Sequence, residues 1–121
     1  IERVAADKPL RNDIKIGTVY PIFKGAAGKI FGAYLGDFKD TDMSTSESAQ
    51  IRHDGYVVTR GNRVPDAASI AVPIFSFGNK LEAVMTISGP IGDYTEERVN
   101  EYLSVMIVLG QTISKHMGAT L

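Results

Sequence analysis

Two runs rich in β-branched residues, Ala68–Phe75 and Leu81–Pro90, flank the pair Gly78-Asn79, and this pattern predicts an antiparallel hairpin. A two-residue loop at Gly78-Asn79 sets Phe77 against Lys80. A four-residue loop from Phe77 to Lys80 sets Ser76 against Leu81 and gives the same register. In that register Ser69 stands opposite Ser88, Ala71 opposite Thr86 and Pro73 opposite Val84. Side chains alternate between the faces of a strand. Ser69, Thr86 and Ser88 therefore gather on one face with Ala71, while Ile70, Val72, Met85 and Ile87 share the other. A loop of three or five residues would break this parity, because a one-residue slip reverses every side chain.

Upstream of the hairpin, Ile1–Val4 and Leu10–Ile16 pattern as strands on either side of the turn Asp7-Lys8-Pro9. A helix is predicted from Ala26 to Leu35, although each of its glycines, Gly28 and Gly32, costs about 1 kcal/mol relative to alanine. Gly36–Ser48 is polar, acidic and aperiodic, which predicts a loop. Ser46–His53 patterns as the last turns of a helix stopped by Asp54-Gly55, Tyr56–Thr59 as a strand, and Arg60–Asp66 as a turn-rich loop. Thr95, followed by Glu96 and Glu97, has the chemistry of a helix N-cap, and that helix runs to about His116 with Gly118 as its stop. Its inward stripe is Val99, Tyr102, Leu103, Met106, Leu109, Ile113 and Met117. Val105, Ile107 and Val108 fall outside the stripe, so the middle of the helix is apolar almost all round. Such a helix is either sandwiched between layers or meets another subunit.

The 121 residues suffice for one domain with one core, and a hydrophobic fraction of 44% is ordinary for a globular chain. A formal charge of −1 gives no global field toward nucleic acid or an anionic membrane. The absence of cysteine excludes a disulfide scaffold, thiol catalysis and thiolate metal sites, and fits a reducing, cytoplasmic compartment. No apolar run reaches the roughly 18 residues of a membrane helix, so no membrane partner is expected. The chain opens without methionine on residues patterned as a strand, and is expected to be a piece of something longer.

The three hydroxyls of the hairpin admit two readings. One is a solvent-facing sheet surface. The other is the floor of a site for a small polar ligand, favoured because Ala71 and Val84 make the face only partly polar and because an exposed face would normally carry more charge. Gly25-Ala26-Ala27-Gly28 opens a helix, where unpaired N–H groups bind anions and small side chains permit close approach. The same residues would also serve tight packing. They are no nucleotide P-loop, since Phe23 holds the required first glycine position and Ile30 follows Lys29. Asp40–Ser44 resembles a calcium loop only faintly: Thr45 stands where glycine is needed and Ile51 where glutamate is needed. His53 and His116 sit near helix ends, where they stabilise terminal carbonyls. Arg60 and Arg63 either reach into a pocket to hold a carboxylate or are solvated loop arginines. No metal or other cofactor is called for.

In order along the chain stand Pro21–Phe31, Asp54-Gly55-Tyr56, Ser69–Phe75, Ile87–Pro90, and then Thr95 with Arg98. This ordered set resembles the C-terminal effector-binding domain of IclR-type bacterial transcription regulators. The resemblance implies a single α+β domain like GAF and PAS sensors, an antiparallel sheet flanked by helices. It implies ligand contacts from the backbone amides of Ala26 and Ala27 and from the side chains of Thr59, Ser69, Thr86 and Ser88, and it places Asn12 and Tyr20 near the pocket. The position of Thr59 is often acidic in such relatives and that of Ser69 can be cysteine, so the ligand changes with them. The span from Leu35 to Tyr56 is shorter than is usual in the family, and the family's N-terminal winged helix-turn-helix has no counterpart in this chain.

The expected function is therefore sensing of a small organic acid effector by a homodimer or tetramer that reaches DNA only through the missing N-terminal domain. Two other classes stay open on the residues alone. A small enzyme could use the same hollow, though its hydroxyls lack an assignable base. A pure dimerisation module would have that face packed solid.

Overall fold

The computed structural model describes residues 25–35, 43–61 and 65–120. The elements are α1 (Ala26–Leu35), α2 (Thr45–Asp54), β1 (Val57–Arg60), β2 (Ala67–Phe75), β3 (Leu81–Pro90) and α3 (Glu96–His116). The strands form an antiparallel sheet in the order β1-β2-β3. The expected strands Ile1–Val4 and Leu10–Ile16 lie outside the described residues.

Alternation along β2 builds two cores, one on each face of the sheet. Ala68, Ile70 and Val72 point to α3 and pack with Tyr94, Val99, Leu103 and Met106. Ala71, with Val57 of β1, points the other way and packs with Ala26, Ile30 and Ala33 of α1 and Ile51 of α2. The architecture is α+β, with helices on both faces of the sheet. Lys29 ties α1 to α2 through an ion pair to Glu47, with Nζ 2.7 Å from Oε1.

The hairpin register is as expected: Ser69 pairs with Ser88, Ala71 with Thr86 and Pro73 with Val84. Its loop is not. Phe75 pairs with Leu81, so Ser76–Lys80 make a five-residue loop, and a bulge follows between the Ile74 and Phe75 pairs. The odd loop length and the extra bulge residue offset one another. Leu81 thereby shares the α1 face with Val84, and the hydroxyl parity survives. Ser76 N–H donates to the Lys80 carbonyl at 2.9 Å. The tip is made by Gly78 and Asn79, with φ of 77° and 55°.

Helix α2 corrects the expected loop at Gly36–Ser48, since its first turn begins at Thr45. Ser44 caps it by accepting the Glu47 N–H at 3.1 Å, in the Ser-x-x-Glu pattern of a capping box. That pattern was the available signal. Periodicity was silent because Ile51 is the one buried residue of α2. The strand after it is Val57–Arg60 rather than Tyr56–Thr59.

Helix α3 has Thr95 as its N-cap, accepting the Arg98 N–H at 3.3 Å. It ends as a Schellman motif, with Ala119 N–H on the Ser114 carbonyl and Gly118 N–H on that of Lys115. Its inward stripe differs from the expected one. The buried residues are Val99, Leu103, Met106, Gly110 and Ser114, while Leu109, Ile113 and Met117 are exposed. Close approach explains the swap: a Cβ on Gly110 would stand 3.3 Å from Val72 Cγ2 and 3.5 Å from the Pro73 carbonyl oxygen. The second half of α3 lies on β2 through its small residues. Ser114 uses its hydroxyl twice there, accepting the Phe75 N–H at 2.9 Å and donating to the Gly110 carbonyl at 2.7 Å. Beyond the helix, Thr120 N–H donates to Asn79 Oδ1 at 3.0 Å, which ties the chain's end to the hairpin tip.

Candidate functional site

Cross-strand pairing places Thr59, Ser69 and Ser88 in one row, because Thr59 pairs with Ser69 and Ser69 with Ser88. The adjacent row on the same face is Val57, Ala71 and Thr86. Ser69 Oγ and Ser88 Oγ are hydrogen-bonded at 2.9 Å. Exposure grades across the row, from buried Thr59 through half-buried Ser69 to exposed Ser88 and Thr86. The floor therefore opens on its β3 side.

Helix α1 lies over this face. Ala26 is buried against the cluster containing Val57 and Ala71, one alternation along from Thr59 and Ser69, and Ala27 is half-buried. The first hydrogen bond of the helix is Lys29 N–H to the Gly25 carbonyl at 3.1 Å. The N–H groups of Ala26, Ala27 and Gly28 precede that bond and have no carbonyl one turn earlier in the helix. No acidic side chain stands in that first turn to offset its partial positive charge.

Thr59 is only 7% exposed. Among the described residues its hydroxyl has no hydrogen-bond partner, whereas Ser69 and Ser88 have each other. A buried hydroxyl left unpaired costs on the order of 1–3 kcal/mol, so this group is disposed toward a ligand or water above the floor.

The remaining sequence candidates fall elsewhere. Asn12, Tyr20 and Arg63 lie outside the described residues. Arg60 does not reach the hydroxyl face. Its guanidinium donates to the Tyr94 carbonyl at 3.1 Å, as alternation with Thr59 requires. His53 is in the last turn of α2 beside Asp54, with Nδ1 3.3 Å from Oδ1, and His116 ends α3. Among the described residues no cluster of three His, Cys, Asp or Glu is placed to hold a metal.

A cavity of about 150 Å³, which sequence reasoning missed, opens at the edge of β2 beyond β1. Tyr34, Asp54, Val72, Phe75, Ile107 and Gln111 are among its walls. Burial raises the Tyr34 phenol above its ordinary pKa, with Arg52 opposing the shift. This cavity is poorly suited to an anion. Its carboxylate, Asp54, already accepts from Gln50 Nε2 at 2.8 Å, and the hydroxyl of Ser114 is used twice.

The fold defines a class first, an α+β domain whose antiparallel sheet is covered by helices on both faces. A family model described as bacterial transcriptional regulator IclR C-terminal matches residues 38–115. The chain belongs to the IclR family of bacterial transcription regulators, of which it is a C-terminal domain. It is 26% identical over 137 aligned positions to the HTH-type transcriptional regulator KdgR of Escherichia coli (strain K12), covering 98% of this chain and 52% of that protein. The chain thus spans about half the length of that curated relative. Among solved structures, the Thermotoga maritima IclR aligns with a TM-score of 0.82 at 23% identity, over 98% of this chain and 56% of that one. The C-terminal domain of E. coli KdgR aligns with a TM-score of 0.67 at 26% identity, over 82% of this chain and 72% of that one. The aligned span with KdgR exceeds the length of this chain, so that relative carries residues without a counterpart here. The relatives are transcription regulators rather than enzymes.

Proposed function

We propose that this single domain senses a small organic acid and thereby controls DNA binding by a separate N-terminal domain, in the cytoplasm. The observation that carries the reading is Thr59, whose hydroxyl is buried and, among the described residues, has no partner, beside the bonded pair Ser69–Ser88. A ligand carboxylate would rest on the amides of Ala26 and Ala27. Its neighbouring oxygens would meet Thr59, Ser69, Ser88 and, at the open side, Thr86. Asn12 and Tyr20 would complete the site. Neutral hydroxyls cost less to leave empty than a buried arginine would, which suits a ligand that must come and go.

Two features speak against the other classes. Among the described residues neither Ser69 nor Ser88 bonds an Asp, Glu or His that could serve as its base. Thr86 and Ser88, at the β3 side of that face, are exposed rather than packed solid, unlike the interior of a filled dimerisation module.

A thermal-shift screen with aliphatic keto acids, aromatic acids and sugar acids tests the reading. A ligand at one hundred times its dissociation constant adds about 2.7 kcal/mol of stability. The expected result is a raised melting temperature with at least one acid, diminished in Ser88→Ala. If no acid shifts the melting temperature, the reading is wrong.

A further inference from the structure

The cavity beside Tyr34 is rich in acceptors and short of donors. Pro73 has no N–H. The Phe75 N–H is given to Ser114, whose own proton goes to the Gly110 carbonyl, and the Gly55 N–H is given to the Ile51 carbonyl. The Pro73 carbonyl oxygen faces α3, 3.5 Å from where a Cβ on Gly110 would stand. Asp54 adds a carboxylate whose side chain is 30% exposed. Its Oδ1 accepts from Gln50 Nε2 at 2.8 Å and lies 3.3 Å from His53 Nδ1, while Oδ2 has no partner among the described residues. A carboxylate has room for about four hydrogen bonds, so Oδ2 is open to a donor.

The rest of the wall is apolar and suited to one ring. Val72, Phe75 and Ile107 line it, and the rings of Tyr34 and Phe75 meet edge to face with centroids 5.2 Å apart. A volume of about 150 Å³ is that of a cavity which holds benzene. A third ring there would extend the aromatic pair in its favoured geometry. Charge narrows the choice. No Lys or Arg is among the walls, so an acid would meet Asp54 without a counter-charge. Arg52 acts on Tyr34 from nearby, and its charge offsets the attraction of Asp54 for a full cation.

We propose that this cavity is a second ligand site, which binds a single aromatic ring carrying a neutral hydrogen-bond donor, a phenol or an arylamine. The ring lies against Tyr34, Phe75 and Ile107, and its O–H or N–H donates to Asp54 Oδ2. The site is separate from the hydroxyl row. Ser69 and Pro73 are four residues apart on β2, about 13 Å at 3.3 Å per residue. Helix α1 reaches both places, with its first turn over the hydroxyl face and Tyr34 of its last turn in the cavity wall.

Amide chemical shifts of the isotopically labelled chain, titrated with phenol, aniline, toluene and benzoate, test the proposal. Phenol and aniline are expected to shift the amides of Gly55, Phe75 and Gln111 and to leave those of Ser69 and Ser88 in place. Toluene, the same ring without a donor, is expected to bind about fivefold more weakly than phenol, and phenol to bind Asp54→Ala about fivefold more weakly than the unaltered chain. Benzoate is expected to leave the cavity amides unshifted. Ile107→Trp fills the cavity and is expected to abolish the phenol shifts, with circular dichroism checking that the fold is kept, while Ser88→Ala retains them in full. The proposal is overturned if millimolar phenol shifts none of the cavity amides, or if benzoate shifts them as strongly as phenol does. It is equally overturned if Asp54→Ala binds phenol as tightly as the unaltered chain.

Discussion

Ser69 and Ser88 face one another across β2 and β3, their hydroxyl oxygens 2.9 Å apart. The contact is the product of two irregularities, a five-residue loop and a bulge, that restore one register. A hairpin with the same loop and no bulge would have turned Ser88 to the α3 side.

Ser69→Ala and Ser88→Ala each remove the same hydroxyl pair. Either is expected to cost about 0.5–1 kcal/mol of stability, and the double variant little more than one alone. Urea denaturation measures this. Ligand affinity, followed by calorimetry, is expected to fall by about 1 kcal/mol or somewhat more in each single variant, roughly fivefold.

Thr59→Val keeps the shape and deletes the buried hydroxyl. In the empty domain it is expected to be neutral or to raise stability by up to about 1 kcal/mol, because it removes a group that has no partner among the described residues. In the presence of the acid it is expected to weaken binding. Opposite signs in denaturation and calorimetry would mark Thr59 as a ligand contact. A loss of stability in the empty domain would instead give its hydroxyl a structural role.

Gly110→Ala tests the close packing of α3 on β2. Helix propensity alone predicts a gain of about 1 kcal/mol. The new Cβ would stand 3.3 Å from Cγ2 of Val72, itself only 2% exposed and unable to yield. Overpacking typically costs about 1–3 kcal/mol, so a net loss of about 1 kcal/mol is expected. A higher melting temperature would contradict it.

Alkaline pH bears on Tyr94. Burial, with Tyr102 and Asp93 acting in the same direction, pushes its phenol from 10.0 up to about 12. The folded state then holds this proton more tightly than the unfolded chain does. The contribution is fully present below pH 10 and is lost as pH rises toward about 12. The urea midpoint is expected to fall over that interval, and to fall less steeply in Tyr94→Phe. Tyr34, shifted in the same direction, leaves a residual slope in the variant.

The hairpin, α1 and the start of α3 were legible in the sequence because their signals are local. Alternation, a Gly-Asn tip and a threonine cap need no knowledge of neighbours. Thr59 joined the site only through the family resemblance, since one residue of a four-residue strand has no register until its partner is known. The inward stripe of α3 was misjudged for the opposite reason. Hydrophobicity favoured Leu109 and Ile113, whereas contact with Val72 and Pro73 favoured Gly110 and Ser114. The cavity beside Tyr34 arises where α1, α2, α3 and the stretch of β2 beyond β1 converge, and no single segment announces it.

That stretch of β2 has one more consequence. Beyond β1, Pro73 has no N–H to offer and Phe75 has given its own to Ser114. Among the described residues no strand pairs with this border, and a strand from another molecule would find there few of the donors needed to continue the sheet. Concentrated solutions of this domain should accordingly resist growth into β-fibres through that border.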